Sequence, residues 1–186
     1  MGALGLGLAV YDTAPPAAAP VPGITRQVWK GGRTNRETRG LIADPPFWIT
    51  LDEAAADAVP APRGTPVLSW DLVQLVPGDR PSPEEAGGLI LTSMDVEPAV
   101  EEEFNAWYTT EHIPLLSQVP GMIAARRFAA RATTGGAPRY MALYHVTDAA
   151  IYALDAWTRA NFTPWMLRMR QFQTNRTYFM FTQREN

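Results

Sequence analysis

His112 is one of only two histidines in a chain of 186 residues. It lies in the run Phe104-Asn105-Ala106-Trp107-Tyr108-Thr109-Thr110-Glu111-His112-Ile113-Pro114. Histidine titrates near neutrality and is the best general acid or base available to the chain. A second role fits it equally: capping the carbonyls of a helix C-terminus, where the dipole favours the protonated ring. Tyr108, one helical turn earlier, is placed to hold the imidazole or to donate to a substrate carbonyl. Glu111 falls on the helical face of Phe104 and Trp107, so it is paired, raised in pKa, at a pocket mouth, or solvated where the helix has unwound. Adjacent residues of a helix diverge by about 100°, so Glu111 and His112 are not expected to form a dyad.

Phe104, Trp107, Phe128, Trp157 and Trp165 are the candidate apolar walls of a binding pocket, with Phe181 beside them; aromatic stripes of this kind also build cores. His145 follows Tyr144 in a strand-like run, so only one of the two faces any interior. The Gly-rich loop from Lys30 to Gly40, with Arg33, Arg36 and Arg39, reads as a solvated loop or as a clamp for a substrate carboxylate.

Several classes are excluded. With no cysteine there is no disulfide, thiolate nucleophile or Cys-ligated zinc. A net charge of -3 and a pI near 5.4 argue against a nucleic-acid partner. No metal-ligand spacing, phosphate loop, dinucleotide fingerprint or Ser-nucleophile elbow is present, so no cofactor is expected. The apolar start, residues 1–10, lacks a positive leader and reads as a first strand, and the Gly2 myristoylation pattern fails at Leu6. Without a run long enough for a membrane span, the expectation is a soluble cytoplasmic protein.

The elements that must position these residues come in two similar sets. Val21-Pro22-Gly23-Ile24 and Val119-Pro120-Gly121-Met122 each lead into an apolar β-prone run, which points to a duplicated unit. In the second half, strands at 88–94, 122–130, 139–146 and 177–182 alternate with a helix over 97–110, broken or tightened near Glu111 by Pro114, and with helices after Asp148 and Thr163-Pro164. This is the β-α-β-β-α-β order of a ferredoxin-like unit. The first half repeats the strands at 4–10, 24–30, 47–51 and 67–75, but its helices are eroded, with room for two turns over 52–59. The expectation is an α+β protein of tandem ferredoxin-like repeats: a degenerate repeat over 1–76, a linker over 77–87 and a complete repeat over 88–186.

The run from Phe104 to Pro114, followed by Val119-Pro120-Gly121, resembles the dimeric α+β barrel superfamily, especially its EthD-like members. The resemblance covers residues 88–186. It implies a barrel that encloses an apolar pocket in each half, bordered by the first helix, and a homodimer or a monomeric pseudo-dimer. Three functions follow: a cofactor-independent isomerase, cyclase, dehydratase or lyase in which His112 moves a proton on a small apolar carbonyl or phenolic compound; a non-catalytic binder of a hydrophobic metabolite; and a haem- or oxygen-using enzyme with His112 or His145 as axial ligand.

Overall fold

The computed structural model describes residues 4–35 and 37–185. The reading at Gly2 and the charge of Arg36 lie outside the described residues. Eight strands form the framework: β1 (Leu4–Tyr11), β2 (Thr25–Thr34), β3 (Leu41–Ala55), β4 (Leu68–Val76), β5 (Gly88–Val96), β6 (Met122–Thr134), β7 (Tyr140–Val146) and β8 (Gln173–Glu185). They close into an antiparallel barrel in the order β1-β3-β2-β8-β5-β7-β6-β4. Each half contributes four adjacent strands, β4-β1-β3-β2 and β8-β5-β7-β6. The seams β2–β8 and β4–β6 join them. Closure occurs within one chain and needs no second copy.

Period-two alternation sends one set of side chains inward. Leu6, Leu8, Trp29, Ile49, Leu51, Trp70, Leu72, Leu89, Leu91, Phe128, Leu143, Phe179 and Phe181 fill the interior as one apolar cluster. The barrel is therefore a packed core, contrary to the expectation of a pocket enclosed within it. Glycines allow the β2 seam to close: a Cβ on Gly31 would collide with the Met180 carbonyl, and one on Gly32 with the Ile42 carbonyl.

At the end of the barrel covered by residues 77–87 the interior turns polar. Arg126 Nη2 lies 2.5 Å from Glu53 Oε1, close but off the hydrogen-bonding line. Its Nε donates to Gln74 Oε1 at 2.7 Å and its Nη1 to Ser82 Oγ at 2.7 Å. Ser82 donates to Glu53 through its backbone N (2.8 Å) and Oγ (3.0 Å). His145, fully buried, adds two unpartnered ring nitrogens.

All helices of the described residues lie between β5 and β8: α1 (Glu101–Trp107), α2 (Ile113–Leu116), α3 (Asp155–Ala160) and α4 (Pro164–Arg170), with 3-10 turns at Pro98–Val100 and Ala149–Ala153. They cover the outer face of the second-half sheet, burying Ile90, Met94, Ala142, Tyr144 and Met180 against Phe104, Trp107, Leu116, Trp157 and Met169. In the first half no described residue is helical. The segment 52–55 extends β3 instead of forming helical turns. None of the described helices is long and apolar enough to cross a membrane.

Candidate functional site

The helix carrying His112 neither breaks nor tightens before Pro114; it widens. Residues Tyr108–His112 form a single π turn between α1 and α2, closed by the Ile113 N–H donating to the Tyr108 carbonyl. Pro114 has no N–H and its ring crowds the preceding turn, and the wider turn accommodates both. The widening brings residues five apart together. The His112 ring lies 4.6 Å from that of Trp107 and 4.8 Å from that of Tyr108. His112 is thus mid-helix, with no terminal carbonyl to cap.

His112 is 5% exposed and its Nδ1 has no hydrogen-bond partner. Burial, helped by the positive charges of Arg127 and Arg170, lowers its pKa to about 3. The ring is neutral at physiological pH, the opposite of the protonated form that a helix terminus would have favoured.

His112 lines a cavity of about 170 Å³ between the helices and the outer face of β5, β7 and β8. Trp107, Tyr108, Tyr144 and Trp157 form its aromatic walls, with Thr92 from β5, Tyr178 from β8 and Arg39 and Arg170 at its more exposed side. The hydroxyls of Tyr108, Tyr144 and Thr92 lie close enough to influence one another. Burial raises the pKa of Tyr108, and that of Tyr144 further, so both are protonated donors at neutral pH. Trp157 packs edge-on against Tyr144 and Tyr152, each at 5.2 Å.

Arg127 backs this wall. Its guanidinium lies 4.7 Å from the Tyr108 ring centre, 5.1 Å from that of Tyr140 and 5.2 Å from that of Phe104. Asn105 accepts from it through Oδ1 at 2.5 Å. No carboxylate among the described residues forms an ion pair with it.

The other sequence candidates sit elsewhere. Glu111 is half-buried outside the cavity lining, accepting from Trp107 Nε1 at 3.1 Å and from Thr163 Oγ1 at 2.5 Å. Since Thr163 Oγ1 also caps α4 by accepting from Met166 N (3.0 Å), Glu111 ties the π turn to that cap. Phe104 is buried one layer behind the cavity, against Trp107, Tyr108 and Tyr140. Phe128 and Phe181 point into the barrel, on the far side of the sheet, because strand alternation puts them on the inner face. Trp165 donates to Glu103 Oε1 at 3.2 Å on the α1–α4 contact and does not line the cavity. His145 also faces the barrel interior, leaving Tyr144 to face the cavity.

Thr92, Tyr144, Tyr152, Arg170 and Tyr178 were not singled out as site residues from sequence. For Tyr144 the signal was its alternation with His145, which lacked a parity. A larger hollow, about 520 Å³, lies on the outer face of the first half under the 15–21 Pro/Ala stretch. There Arg26 and Asp52 engage each other at 3.3 Å, and burial raises the Asp52 pKa against the pull of Arg26. That hollow has no histidine, so proton transfer is better served by the smaller cavity.

No protein-family model and no curated protein matches the chain. Solved structures do. A provisionally named monooxygenase from Fusobacterium nucleatum subsp. nucleatum aligns with TM-score 0.59 at 9% identity, over 100% of this chain and 95% of its own. An anthrone oxidase-like protein aligns with TM-score 0.58 at 12% identity, over 98% and 91%. A provisionally named chlorite dismutase aligns with TM-score 0.51 at 12% identity, over 100% and 96%. The chain shares their fold, an antiparallel α+β barrel. At these identities the likeness is one of architecture, and this α+β barrel's chemistry rests on its own side chains.

A haem does not fit those side chains. Drug-sized ligands occupy roughly 300–1,000 Å³, so a macrocycle exceeds the cavity beside His112, about 170 Å³. Trp107 and Tyr108 pack against the His112 ring, and the nitrogens of His145 are sealed inside the barrel.

Proposed function

We propose that the chain is a cofactor-independent small-molecule enzyme, in which His112 takes a proton from an apolar compound bearing a phenol or a carbonyl. The observation that carries this reading is a neutral, buried imidazole lining a cavity beside two phenols held in their donor form. Tyr108 or Tyr144 donates to the substrate oxygen. His112 accepts the proton from O–H or from a carbon beside the carbonyl, leaving a phenolate or enolate. Arg127 and Arg170 make the free imidazole a poor base, yet the same charges stabilise the anion that forms. Isomerisation, cyclisation, dehydration or cleavage are the fates open to it. Trp107 and Trp157 exclude water, while Phe104 and Glu111 position the helix. On this reading the protein is an EthD-like, soluble, cytoplasmic pseudo-dimer of two ferredoxin-like units, 1–76 and 88–186, joined by a linker over 77–87.

The test is deuterium exchange into simple phenols and 1,3-dicarbonyl compounds, followed by NMR in D2O. General acid–base catalysis contributes roughly 10²–10⁴-fold, so His112→Gln should slow catalysed exchange by at least about 100-fold with the fold retained. Binding without exchange, indifferent to this substitution, would replace the enzyme with a carrier of a hydrophobic metabolite.

The names of the neighbours favour a second reading, in which the anion is handed to O2. Oxygen uptake with the same compounds separates it from the first.

A further inference from the structure

Proton transfer leaves one wall of the cavity unused, and with it the charge of Arg39. Arg39 and Arg170 line the cavity, and among the described residues that line it there is no Asp or Glu. Arg127, behind Tyr108, adds a third guanidinium held by rings and Asn105. Positive charge concentrated around a partly enclosed cavity favours an anion inside it.

Arg39 comes from the first half, in the connection between β2 and β3. Asn35 shapes that connection: its N–H donates to the Gly40 carbonyl at 2.8 Å, and its Oδ1 accepts from the N–H groups of Glu37 (2.9 Å) and Thr38 (3.0 Å). Arg39 itself has φ of 56°, the left-handed region that non-glycine residues seldom occupy. From there its guanidinium donates to Thr158 Oγ1 of α3, across a sequence separation of 119. The connection holds a fork-shaped cation at the half-exposed side of the second-half cavity, a geometry suited to a carboxylate.

Size sets the other limit. A cavity of about 170 Å³ falls below the ~300–1,000 Å³ of drug-sized sites, so the ligand is smaller than a fused polycycle.

We propose that the cavity takes a small, single-ring aromatic carboxylate, its anionic group held by Arg39 and Arg170 and its ring lying among Trp107, Tyr144 and Trp157. This inference rests on the reading of the His112 cavity as the substrate site. It makes Arg39 a specificity-determining residue supplied to the second half by the first.

Benzoate and benzamide serve as probes, because they share a shape and differ in charge. Binding is followed by calorimetry and by the ring resonances of His112. Hydrogen bonds to a charged group are the stronger kind, so benzoate should bind at least about tenfold more tightly than benzamide, and Arg39→Gln should remove about that factor for benzoate alone. Arg170→Gln should act in the same selective way, which guards against misfolding of either single variant. Equal affinity for the two probes, or benzoate affinity unchanged in both variants, overturns the proposal. If benzamide still shifts the His112 resonances in that case, the cavity survives as a small-molecule site and only the anion assignment falls. Failure of both probes to reach His112 overturns the proposal together with the assignment of the site.

Discussion

Removing the Glu53 carboxylate tests the account of the barrel interior most sharply. Arg126 is fully buried and Glu53 is 5% exposed, and they come from opposite halves of the chain, β6 and β3. Deleting one partner of a buried pair leaves an uncompensated charge and costs about 3–5 kcal/mol. Glu53→Ala also strips Ser82 of the acceptor for both its N–H and its Oγ, a loss that overlaps the first and does not simply add to it. In a chain of this length each kcal/mol lowers Tm by roughly 2–4 °C, so the expected fall is about 6–20 °C. Arg126→Met should cost a similar amount, since it strands the carboxylate. The double variant Glu53→Leu/Arg126→Met removes both charges and should recover much of the loss. Urea unfolding at pH 7, read by tryptophan fluorescence and compared at common m-values, gives the cycle. A single-variant loss below about 1 kcal/mol, or a double-variant loss equal to the sum of the singles, would refute the claim that this pair is a desolvated link between the halves.

Two further predictions concern protonation and the seam. The folded pKa of His112, about 3, lies below the unfolded value of 6.5, so the unfolded chain gains a proton first as pH falls. Stability from this residue is complete above pH 6.5 and declines toward pH 3 at about 1.4 kcal/mol per unit, reaching a loss of about 2 kcal/mol at pH 5. His145 is depressed in the same direction and adds with the same sign. The difference in unfolding free energy between pH 7 and pH 5 should shrink by about 2 kcal/mol in His112→Gln; an unchanged difference would show that the ring titrates normally in the fold. At the β2–β8 seam, Gly31→Ala forces a methyl against the Met180 carbonyl and should cost about 1–3 kcal/mol in urea unfolding. A neutral result would mean that the seam is looser than this packing requires.

Strand existence was legible because β-prone runs and Pro-Gly or Gly-rich turns bound each strand, but faces and ends were not. β3 is readable over 47–51, yet it runs from Leu41 to Ala55; Asp44, Pro45 and Pro46 hide its exposed first part, which breaks the apolar pattern. β6 is buried on both faces around Ala124 to Phe128, so alternation gives no parity, and Phe128 was assigned to a pocket that lies behind it. The same double burial conceals Arg126 and Arg127, which sequence alone would place in solvent and which instead serve the interior and the helix layer. His112 and Tyr108 were readable as chemistry and, one helical turn apart, as neighbours; the contact of His112 with Trp107, five residues away, was not, because it depends on a π turn that helical periodicity does not anticipate. Arg39 read as one charge of a loop that is either solvated or a carboxylate clamp; its partner Thr158 is too distant in sequence to be inferred.

The absence of helices among the described residues of the first half follows from what its sheet presents outward. The second-half sheet turns Ile90, Met94, Tyr144 and Met180 toward the outside, an apolar face that must be covered by an equally apolar layer. The first-half sheet turns Arg26, Val28 and Asp52 outward, and the first and last of these neutralise each other across β2 and β3. Such a face needs shielding rather than a second core, and coil suffices: the Pro/Ala-rich segment after β1 and the segment before β4, the latter pinned where Tyr11 Oη donates to the Arg63 carbonyl at 2.8 Å. With no helix to anchor on its own side, the β2–β3 connection is free to lean over the seam and set Arg39 against α3. The half whose described residues form no helical layer thereby adds a second charge beside that of Arg170 from α4, and the asymmetry of the barrel becomes part of the site.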